Sequence, residues 1–500
     1  MNILFASSEV IPFARTGGLA DVSAALPAAL DRLEQNVSVV IPAYKSVFNA
    51  GVPLRDTGVR FPVPIGDKSL TAKIWKGKIP ESDVPIYFIQ QDDYFSRNEL
   101  YTENGSDYND NCERFIFFSR AVMEMISMMD LKVDILHSND WQTGIIPAMQ
   151  STLYRDKPGY EKIATVHTIH NLAYQGIFWH WDLLLTGIGW KYFTFDQLEF
   201  YGKLNLMKAG IVFADGITTV SPQYALEIQS PAFGYGLETV VQCRSPMLRG
   251  ILNGVCLKCW NPETDPYIAA QYNVENVFEK KPDCKRNLQE TLGLPQRSEV
   301  PLFGVVSRFA HQKGIDLITE VIPLWAEKHG VQFCLLGKGD RNLESRLSAL
   351  AGQYPDNVAV RFEFSDELSH KIEAGADSFL MPSRYEPCGL NQMYSQIYGT
   401  VPLVRDTGGL ADTVVDLNDD TLENNTATGF TFASDDIHGL NTTIWRALDI
   451  FWHRRDVWNR LIRNGMRQDW SWAKSAGQYV RFYEKLVKKH DTSVQLWDGH

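Results

Sequence analysis

The sequence lacks the features that mark secreted, membrane-spanning and fibrous proteins. Its 500 residues include only seven cysteines, an odd number spread from Cys112 to Cys388, so they form no disulfide framework and favour a reducing compartment. No apolar run of about 18 residues occurs. The start, MNILFASSEV, lacks the basic region and apolar stretch of a signal peptide. We therefore expect a cytoplasmic protein with no membrane partner, or a stromal one if the source has plastids.

Positive charge is also scarce, since 48 Lys and Arg residues face 60 Asp and Glu residues, a net charge of −12. With no long basic cluster, nucleic acid is not an expected partner. Asp-x-Asp, the usual carboxylate pair for a metal-held diphosphate, and His-Glu-x-x-His are both absent, and the pair Cys256 and Cys259 has no second pair at zinc spacing. We therefore expect no metal and no cofactor, and a phosphate site built locally from cationic side chains.

Short apolar runs alternate with segments of helical period along the whole chain. Strands are predicted at 2–6, 37–41, 85–90, 133–137, 163–167 and 216–220, and in a second series at 302–306, 331–336, 358–362, 378–381 and 401–404. This alternation predicts an α/β fold with two doubly wound parallel-sheet (Rossmann-like) domains facing a cleft. A break near 246–262 places the domains at 1–250 and 251–471, with a final helix at 472–490 that packs back on the first domain.

One segment, Thr-Gly-Gly-Leu-Ala-Asp, occurs twice, at 16–21 and 407–412, each time after a predicted strand and at the start of a helix. Glycine lets a ligand approach the backbone, and a helix N-terminus directs free N–H groups at negative charge. A single copy would more often be a plain strand-to-helix turn. Two copies in matching contexts favour an anion-binding role.

A cationic pair and a carboxylate follow strands of the second series. Arg308 and Lys313 lie in the loop after 302–306, and Glu386 follows 378–381. Ligands of open α/β sheets bind at the carboxyl ends of strands, where Arg grips a diphosphate bidentately and Lys acts as a point charge. The alternatives are a surface ion pair and a carboxylate at a helix start.

Taken together, these segments and HSNDW at 137–141, HNLAYQG at 170–176, LNGV at 252–255 and SRYEPCGLNQ at 383–392 resemble the bacterial glycogen synthase and starch synthase family of GT-B glycosyltransferases. The resemblance covers nearly the whole chain. It implies transfer of glucose from ADP-glucose to the non-reducing end of an α-1,4-glucan, glycogen or a starch primer, with retention of configuration. It also implies a reaction that needs no metal.

The resemblance carries roles to individual positions. Arg308 and Lys313 would neutralise the leaving diphosphate, while Asp140, His170 and Glu386 would surround the transferred glucose. The further donor-binding positions that it implies are Arg15, Gly17, Gly18, Asp21, Asn253, Phe364, Tyr385, Cys388, Gly389, Leu390, Thr407, Gly408 and Gly409. A core position is the alternative for Phe364.

The chain departs from the family at Arg15, where Lys is common, and at Cys256, where Asp is usual. Two other functions therefore stay open: the same fold with UDP-glucose or another acceptor, and a non-catalytic paralogue that binds glucan or nucleotide. The C-terminal tryptophans are predicted to be core residues rather than a platform for sugar rings. They are Trp445, Trp452, Trp458, Trp470 and Trp472.

Overall fold

The computed structural model describes the backbone of residues 1–497 and the side chains of residues 1–489. The chain forms two compact units. Unit 1 contains Met1–Gly254 and the C-terminal helix that begins at Trp472, and unit 2 contains Val255–Ser471. Each unit has its own parallel-rich sheet and its own buried core.

Unit 1 contains fourteen strands before residue 254. They are β1 (Asn2–Ala6), β2 (Asn36–Pro42), β3 (Arg55–Ile65), β4 (Lys68–Lys78), β5 (Pro85–Gln90), β6 (Thr102–Glu103), β7 (Ser106–Asp107), β8 (Ile135–Asn139), β9 (Ala164–Ile169), β10 (Ile177–Trp179), β11 (Glu199–Phe200), β12 (Lys203–Asn205), β13 (Gly216–Thr219) and β14 (Leu248–Gly250). The helices are α1 (Gly18–Arg32), α2 (Lys45–Phe48), α3 (Asp92–Phe95), α4 (Asn111–Met128), α5 (Asp140–Thr143), α6 (Ile146–Met149), α7 (Leu183–Thr186), α8 (Leu206–Phe213), α9 (Pro222–Glu227) and α10 (Glu238–Cys243).

The main sheet of unit 1 has the order β14-β13-β9-β8-β1-β2-β5-β4-β3. Strands β1, β2, β5, β8, β9, β13 and β14 are parallel, with Ile3 opposite both Val37 and Ile135. Strands β3 and β4 join antiparallel at the edge of this otherwise parallel sheet, and neither strand was among those predicted from the sequence. The two strands alternate buried and exposed residues, which is the pattern of a hairpin with one wet face.

Unit 2 contains a six-stranded, wholly parallel sheet in the order β17-β16-β15-β18-β19-β20. The strands are β15 (Leu302–Val306), β16 (Gln332–Leu336), β17 (Val358–Arg361), β18 (Ser378–Met381), β19 (Val401–Arg405) and β20 (Phe430–Phe432). The helices are α11 (Val277–Leu292), α12 (Ile315–His329), α13 (Arg341–Gln353), α14 (Asp366–Gly375), α15 (Asn391–Ile397), α16 (Gly408–Thr413), α17 (Asp419–Glu423), α18 (Ile437–His453) and α19 (Arg455–Met466).

The last helix, α20 (Trp472–Trp497), follows unit 2 in the chain but packs within unit 1. It lies against α1 and β9, and its Tyr483 hydroxyl hydrogen-bonds to His137 Nδ1 at 2.7 Å. Ser475 donates to the carbonyl of Leu252 at 2.6 Å. The helix thereby covers one face of the unit 1 sheet with buried aromatic side chains.

Candidate active site

In unit 2 the strand order reverses between β15 and β18, because β16 and β17 lie on one side of this pair and β19 and β20 on the other. Such a switch point leaves a crevice outside the carboxyl ends of the two strands, where open α/β sheets bind ligands. The loop after β15 carries Arg308 and Lys313, and the loop after β18 carries Glu386. The sequence-predicted residues of unit 2 therefore lie at the position that the topology favours.

Lys313 and Glu386 form an ion pair across the switch point. Lys313 Nζ lies 2.5 Å from Glu386 Oε2, and the two side chains are 20% and 8% exposed. The Ser383 hydroxyl donates to the same carboxylate oxygen at 3.1 Å. Gly314 follows Lys313 with φ +67°, and a Cβ there would lie 2.1 Å from the carbonyl oxygen of Pro382. The close approach of the two loops thus fixes where the ammonium group lies.

Arg308 is exposed and forms no ion pair with the described side chains, so its guanidinium group is available to a ligand. Phe364, in the loop between β17 and α14, is 76% exposed, so the core interpretation of this residue is wrong. Tyr385 is half-buried, and its carbonyl accepts a hydrogen bond from Gln312 at 3.3 Å. Cys388 is buried.

The second Gly-Gly copy packs directly against the Glu386 loop. The N–H of Gly409 donates to the Glu386 carbonyl at 3.1 Å. Gly408 has φ +46°, and a Cβ on it would lie 2.0 Å from the same carbonyl oxygen. Helix α16, which these glycines open, has only six residues and a buried first turn. Both copies follow a strand and open a helix, as predicted, but the main structural role of this copy is backbone packing that positions Glu386.

The first Gly-Gly copy is different. A Cβ on Gly17 or Gly18 would meet nothing within 4 Å, and neither residue has a positive φ that favours glycine. The fold itself therefore does not require glycine at the start of α1. A ligand that approaches the backbone would require it.

Glu9, which the sequence did not single out, occupies part of this loop. Its carboxylate accepts the N–H of Thr16 at 2.6 Å, the Thr16 hydroxyl at 2.6 Å and the N–H of Gly17 at 3.2 Å. The Tyr101 hydroxyl donates to it at 2.8 Å. The Gly17 amide therefore donates to a side chain of the protein itself.

Unit 1 also has a switch point, between β1 and β8, and its predicted residues follow the strands around it. Arg15, in the loop after β1, lies 3.5 Å from the Asp21 carboxylate, and both side chains are partly exposed. Asp140 follows β8 directly with φ +52°, and His170 follows β9. Asn253, after β14, is buried, and its Oδ1 has no hydrogen-bond partner in the described part of the chain.

Asp140 and His170 are joined through the backbone. The N–H of His170 donates to Asp140 Oδ1 at 2.8 Å, and the N–H of Asn171 donates to the same carboxylate. Burial nevertheless raises the pKa of Asp140 to about 7, because desolvation outweighs these two hydrogen bonds. The carboxyl group is thus held in place by two backbone N–H groups, and its pKa lies near neutral pH.

The protonation of His170 follows from its neighbours. Burial lowers its pKa to about 3, so the ring is neutral at pH 7. Its Nε2 lies 2.9 Å from Asn139 Oδ1, and Asn139 Nδ2 donates to the Ala6 carbonyl at 3.0 Å. Because the amide nitrogen faces a carbonyl, Oδ1 is the acceptor for Nε2–H, and His170 Nδ1 carries a lone pair.

His167, in contrast, is fully buried between the Ser138 hydroxyl at 2.9 Å and the Met207 sulfur at 3.4 Å. Burial and the nearby His170 lower its pKa to about 3. These contacts agree with a structural role. No group of three or more His, Cys, Asp or Glu side chains within the described residues could hold a metal ion.

The prediction that the C-terminal tryptophans are core residues holds for only part of the set. Trp458 and Trp472 are buried, and Trp470 is half-buried. Trp445 and Trp452 are 59% and 41% exposed on α18, so the core prediction is wrong for these two. Within residues 1–497, no helix combines the length and the apolar character needed to cross a membrane.

Comparison with known proteins agrees with this geometry. The family model for the starch synthase catalytic domain matches residues 2–243, and the model for glycosyl transferases group 1 matches residues 293–463. The chain is similar to the glycogen synthase of Syntrophotalea carbinolica (44% identity, 98% of this chain and 100% of that protein) and to the glycogen synthase of Thermotoga maritima (43% identity, 98% and 99%).

The structure is similar to the catalytic domain of starch synthase IV from Arabidopsis thaliana, solved bound to ADP and acarbose. The TM-score is 0.89 at 34% identity, covering 97% of this chain and 99% of that one. Sucrose-phosphate synthase from Thermosynechococcus elongatus shares the fold, with a TM-score of 0.59 at 19% identity over 98% of this chain.

Two Rossmann-like units with candidate site residues at the carboxyl ends of their strands define the class of GT-B glycosyltransferases. The chain belongs to the bacterial glycogen synthase and starch synthase family within that class.

Proposed function

We propose that this enzyme transfers glucose from ADP-glucose to the non-reducing end of an α-1,4-glucan, with retention of configuration. The observation that carries the proposal is the Lys313–Glu386 pair at the switch point of unit 2, with Arg308 on the same loop. Two cationic side chains and a sugar-binding carboxylate are what a leaving nucleoside diphosphate and its glucose require. The full-length relatives named glycogen synthase, and the starch synthase bound to ADP and acarbose, support these substrates.

In this proposal unit 2 binds the nucleotide. Arg308 and Lys313 stabilise the negative charge that develops on the diphosphate as the glycosidic bond breaks. Electrostatic stabilisation of this kind is usually the largest single contribution to catalysis. Phe364 presents its exposed ring to the adenine. The two loops around Glu386 supply the remaining contacts to ADP-glucose. These come from Tyr385, Cys388, Gly389, Leu390, Thr407, Gly408 and Gly409.

Unit 1 carries the acceptor side. Within this unit the N–H of Gly18 and the Arg15–Asp21 pair form an anion-binding group, and the unpartnered Oδ1 of Asn253 accepts a hydroxyl of the ligand. Asp140 binds a glucose hydroxyl, and neutral His170 contributes its ring Nδ1 or backbone carbonyl toward the positive charge on the sugar. A neutral imidazole suits this role because an imidazolium would repel an oxocarbenium-like carbon.

Retention follows in this proposal without a glycosyl-enzyme intermediate. Glu386 already accepts hydrogen bonds from Lys313 and Ser383, so we do not assign it as the nucleophile. Its role in this proposal is to bind sugar hydroxyls. The acceptor hydroxyl enters on the face from which the diphosphate leaves, and a departing phosphate oxygen accepts its proton. The reaction places no demand on a metal, because the cations are side chains. We place the enzyme in the cytoplasm, in keeping with its free cysteines.

The experiment that tests this function measures ADP and UDP release from the two glucose donors, with and without glycogen. ADP release that depends on glycogen is the expected result, and the UDP rate shows whether Arg15 relaxes nucleotide choice. Faster UDP release would move the assignment to a UDP-glucose enzyme. No release from either donor, by folded protein that binds glycogen, would identify a non-catalytic glucan-binding paralogue.

A further inference from the structure

The segment that opens unit 2 contains two cysteines in contact. Cys256 Sγ and Cys259 Sγ lie 2.7 Å apart, and both residues are exposed. They occupy the ends of a tight turn, in which the N–H groups of Cys259 and Trp260 donate to the Cys256 carbonyl at 3.0 and 2.9 Å. Both side chains therefore point to the same place, which is the condition for a disulfide without backbone movement.

The turn is anchored on both sides within unit 2. The N–H of Val255 donates to the Trp470 carbonyl at 2.7 Å. The Trp260 ring is stacked between His370 and Tyr394, with centroid distances of 3.8 and 3.9 Å and interplanar angles of 7° in both cases. The two sulfur atoms are thus presented to solvent by a rigid support.

This pair differs from every other described cysteine. Cys112, Cys284, Cys334 and Cys388 are buried, and Cys243 is exposed but contacts no other described cysteine. A structural zinc needs four ligands. The described residues offer no third His, Cys, Asp or Glu beside the pair. The contact therefore favours redox chemistry over metal binding.

We propose that Cys256 and Cys259 are a reversible dithiol–disulfide site whose oxidant is a low-molecular-weight disulfide such as oxidised glutathione. One cysteine thiolate attacks the glutathione disulfide, so a mixed disulfide forms and one glutathione thiol leaves. The second cysteine then attacks the protein sulfur of the mixed disulfide and releases the second glutathione thiol. Two electrons and two protons pass from the cysteines to one oxidised glutathione, which becomes two reduced molecules.

The test incubates the full-length protein at a series of ratios of reduced to oxidised glutathione, followed by acid quenching, alkylation and peptide mass spectrometry. A protease that does not cut after Lys258 keeps both cysteines in one peptide. The peptide that contains both cysteines is expected to be lighter by two hydrogens, the mass change of an internal disulfide. Mixed disulfide is expected on fewer than about a tenth of the molecules, because the second thiol is present at high effective concentration. Cys243 provides the internal reference and accumulates bound glutathione. Dithiothreitol reverses both changes.

A matched variant distinguishes the effect of the neighbouring thiol from the effect of solvent exposure alone. In Cys259→Ser, Cys256 is expected to accumulate bound glutathione to the level of Cys243, because no resolving thiol remains. The proposal is overturned if the wild-type 256–259 peptide stays reduced, or retains bound glutathione, at ratios that modify Cys243. Either outcome is measured on the wild-type protein, so it does not depend on how the variant folds and leaves the glucan synthase assignment untouched.

Discussion

Lys313 is the residue on which the proposed chemistry depends most. Lys313→Ala removes the cation 2.5 Å from Glu386 and leaves that buried carboxylate with Ser383 as its remaining side-chain partner. We expect glycogen-dependent ADP release to fall by about 10²–10³-fold, the usual loss when one charge-stabilising donor is removed. Steady-state assays of kcat and KM for ADP-glucose measure it. Lys328→Ala, at the exposed end of α12, is the control and is expected to retain wild-type rates. Wild-type kcat in Lys313→Ala would refute the role.

The raised pKa of Asp140 predicts that the stability of the folded protein depends on pH. Its pKa of about 7 lies above the unfolded value of about 3.9, so the folded state binds the proton more tightly. The stabilisation from this group is complete below about pH 4 and declines as the pH rises toward 7.

Asp140→Asn removes that titration. The unfolding free energy of the variant, minus that of the wild type, is therefore expected to rise between pH 4 and 7 with a slope of at most about 1.4 kcal/mol per pH unit. Urea unfolding at several pH values measures it, with Asp67→Asn in the exposed β3–β4 turn as the control. A difference that does not change with pH would contradict the raised pKa.

At the scale of elements, the two Gly-Gly copies give opposite predictions for the same substitution. Gly18→Ala meets open space at the start of α1, so the unfolding free energy is expected to change by less than about 0.5 kcal/mol, while KM for ADP-glucose rises. Gly408→Ala has an unfavourable φ and a contact at 2.0 Å, and is expected to destabilise by about 1–3 kcal/mol. Thermal unfolding and donor titrations on both variants distinguish them. Equal stability losses would contradict the assignment.

Lys281 joins three elements of unit 2. From α11, its buried Nζ donates to the carbonyl of Ala374 in the last turn of α14 at 2.8 Å and to that of Tyr398, just after α15, at 3.0 Å. It also donates to the Thr400 hydroxyl at 2.7 Å. Lys281→Ala leaves these buried acceptors without the ammonium group and is expected to lower the unfolding free energy by about 2–4 kcal/mol. Chemical denaturation measures it, and the exposed neighbour Lys280→Ala is the control. A loss equal to that of the control would contradict the account.

The strands were the most predictable elements. β1, β5, β15 and β18 have the predicted bounds, because buried parallel strands are continuous apolar runs. β8 begins at Ile135, two residues later than predicted, since the Asp134 carboxylate accepts the Asn2 N–H at 2.7 Å and precedes the ladder. The hairpin of β3 and β4 was missed because its alternating, charged sequence has no continuous apolar run.

The candidate site likewise contains residues that the sequence indicates and residues that it does not. Lys313 and Glu386 were predictable because they follow strands in recognisable motifs. Glu9 and Asn139 were not, because their roles depend on folded contacts that no motif marks. Glu9 accepts a hydrogen bond from Tyr101, and Asn139 fixes the tautomer of His170. The contrast between the two Gly-Gly copies also depends on packing and has no sequence signal.

At the scale of the whole molecule, we expect a reaction that is independent of divalent metal ions. In the proposed mechanism Arg308 and Lys313 supply the positive charge at the diphosphate, and the sequence has no Asp-x-Asp pair for a metal. Initial rates of ADP release are expected to be unchanged after exhaustive treatment with a chelator. Loss of activity that Mg²⁺ restores would contradict this assignment of the cationic side chains.

The central claim is that the enzyme extends an α-1,4-glucan with retention. Proton NMR during turnover of ADP-glucose with a maltooligosaccharide tests it most directly, because the new anomeric proton reports the linkage as it forms. We expect an α-1,4 signal that grows in proportion to the ADP released. A β signal, or ADP formed with no new glycosidic bond, would contradict it.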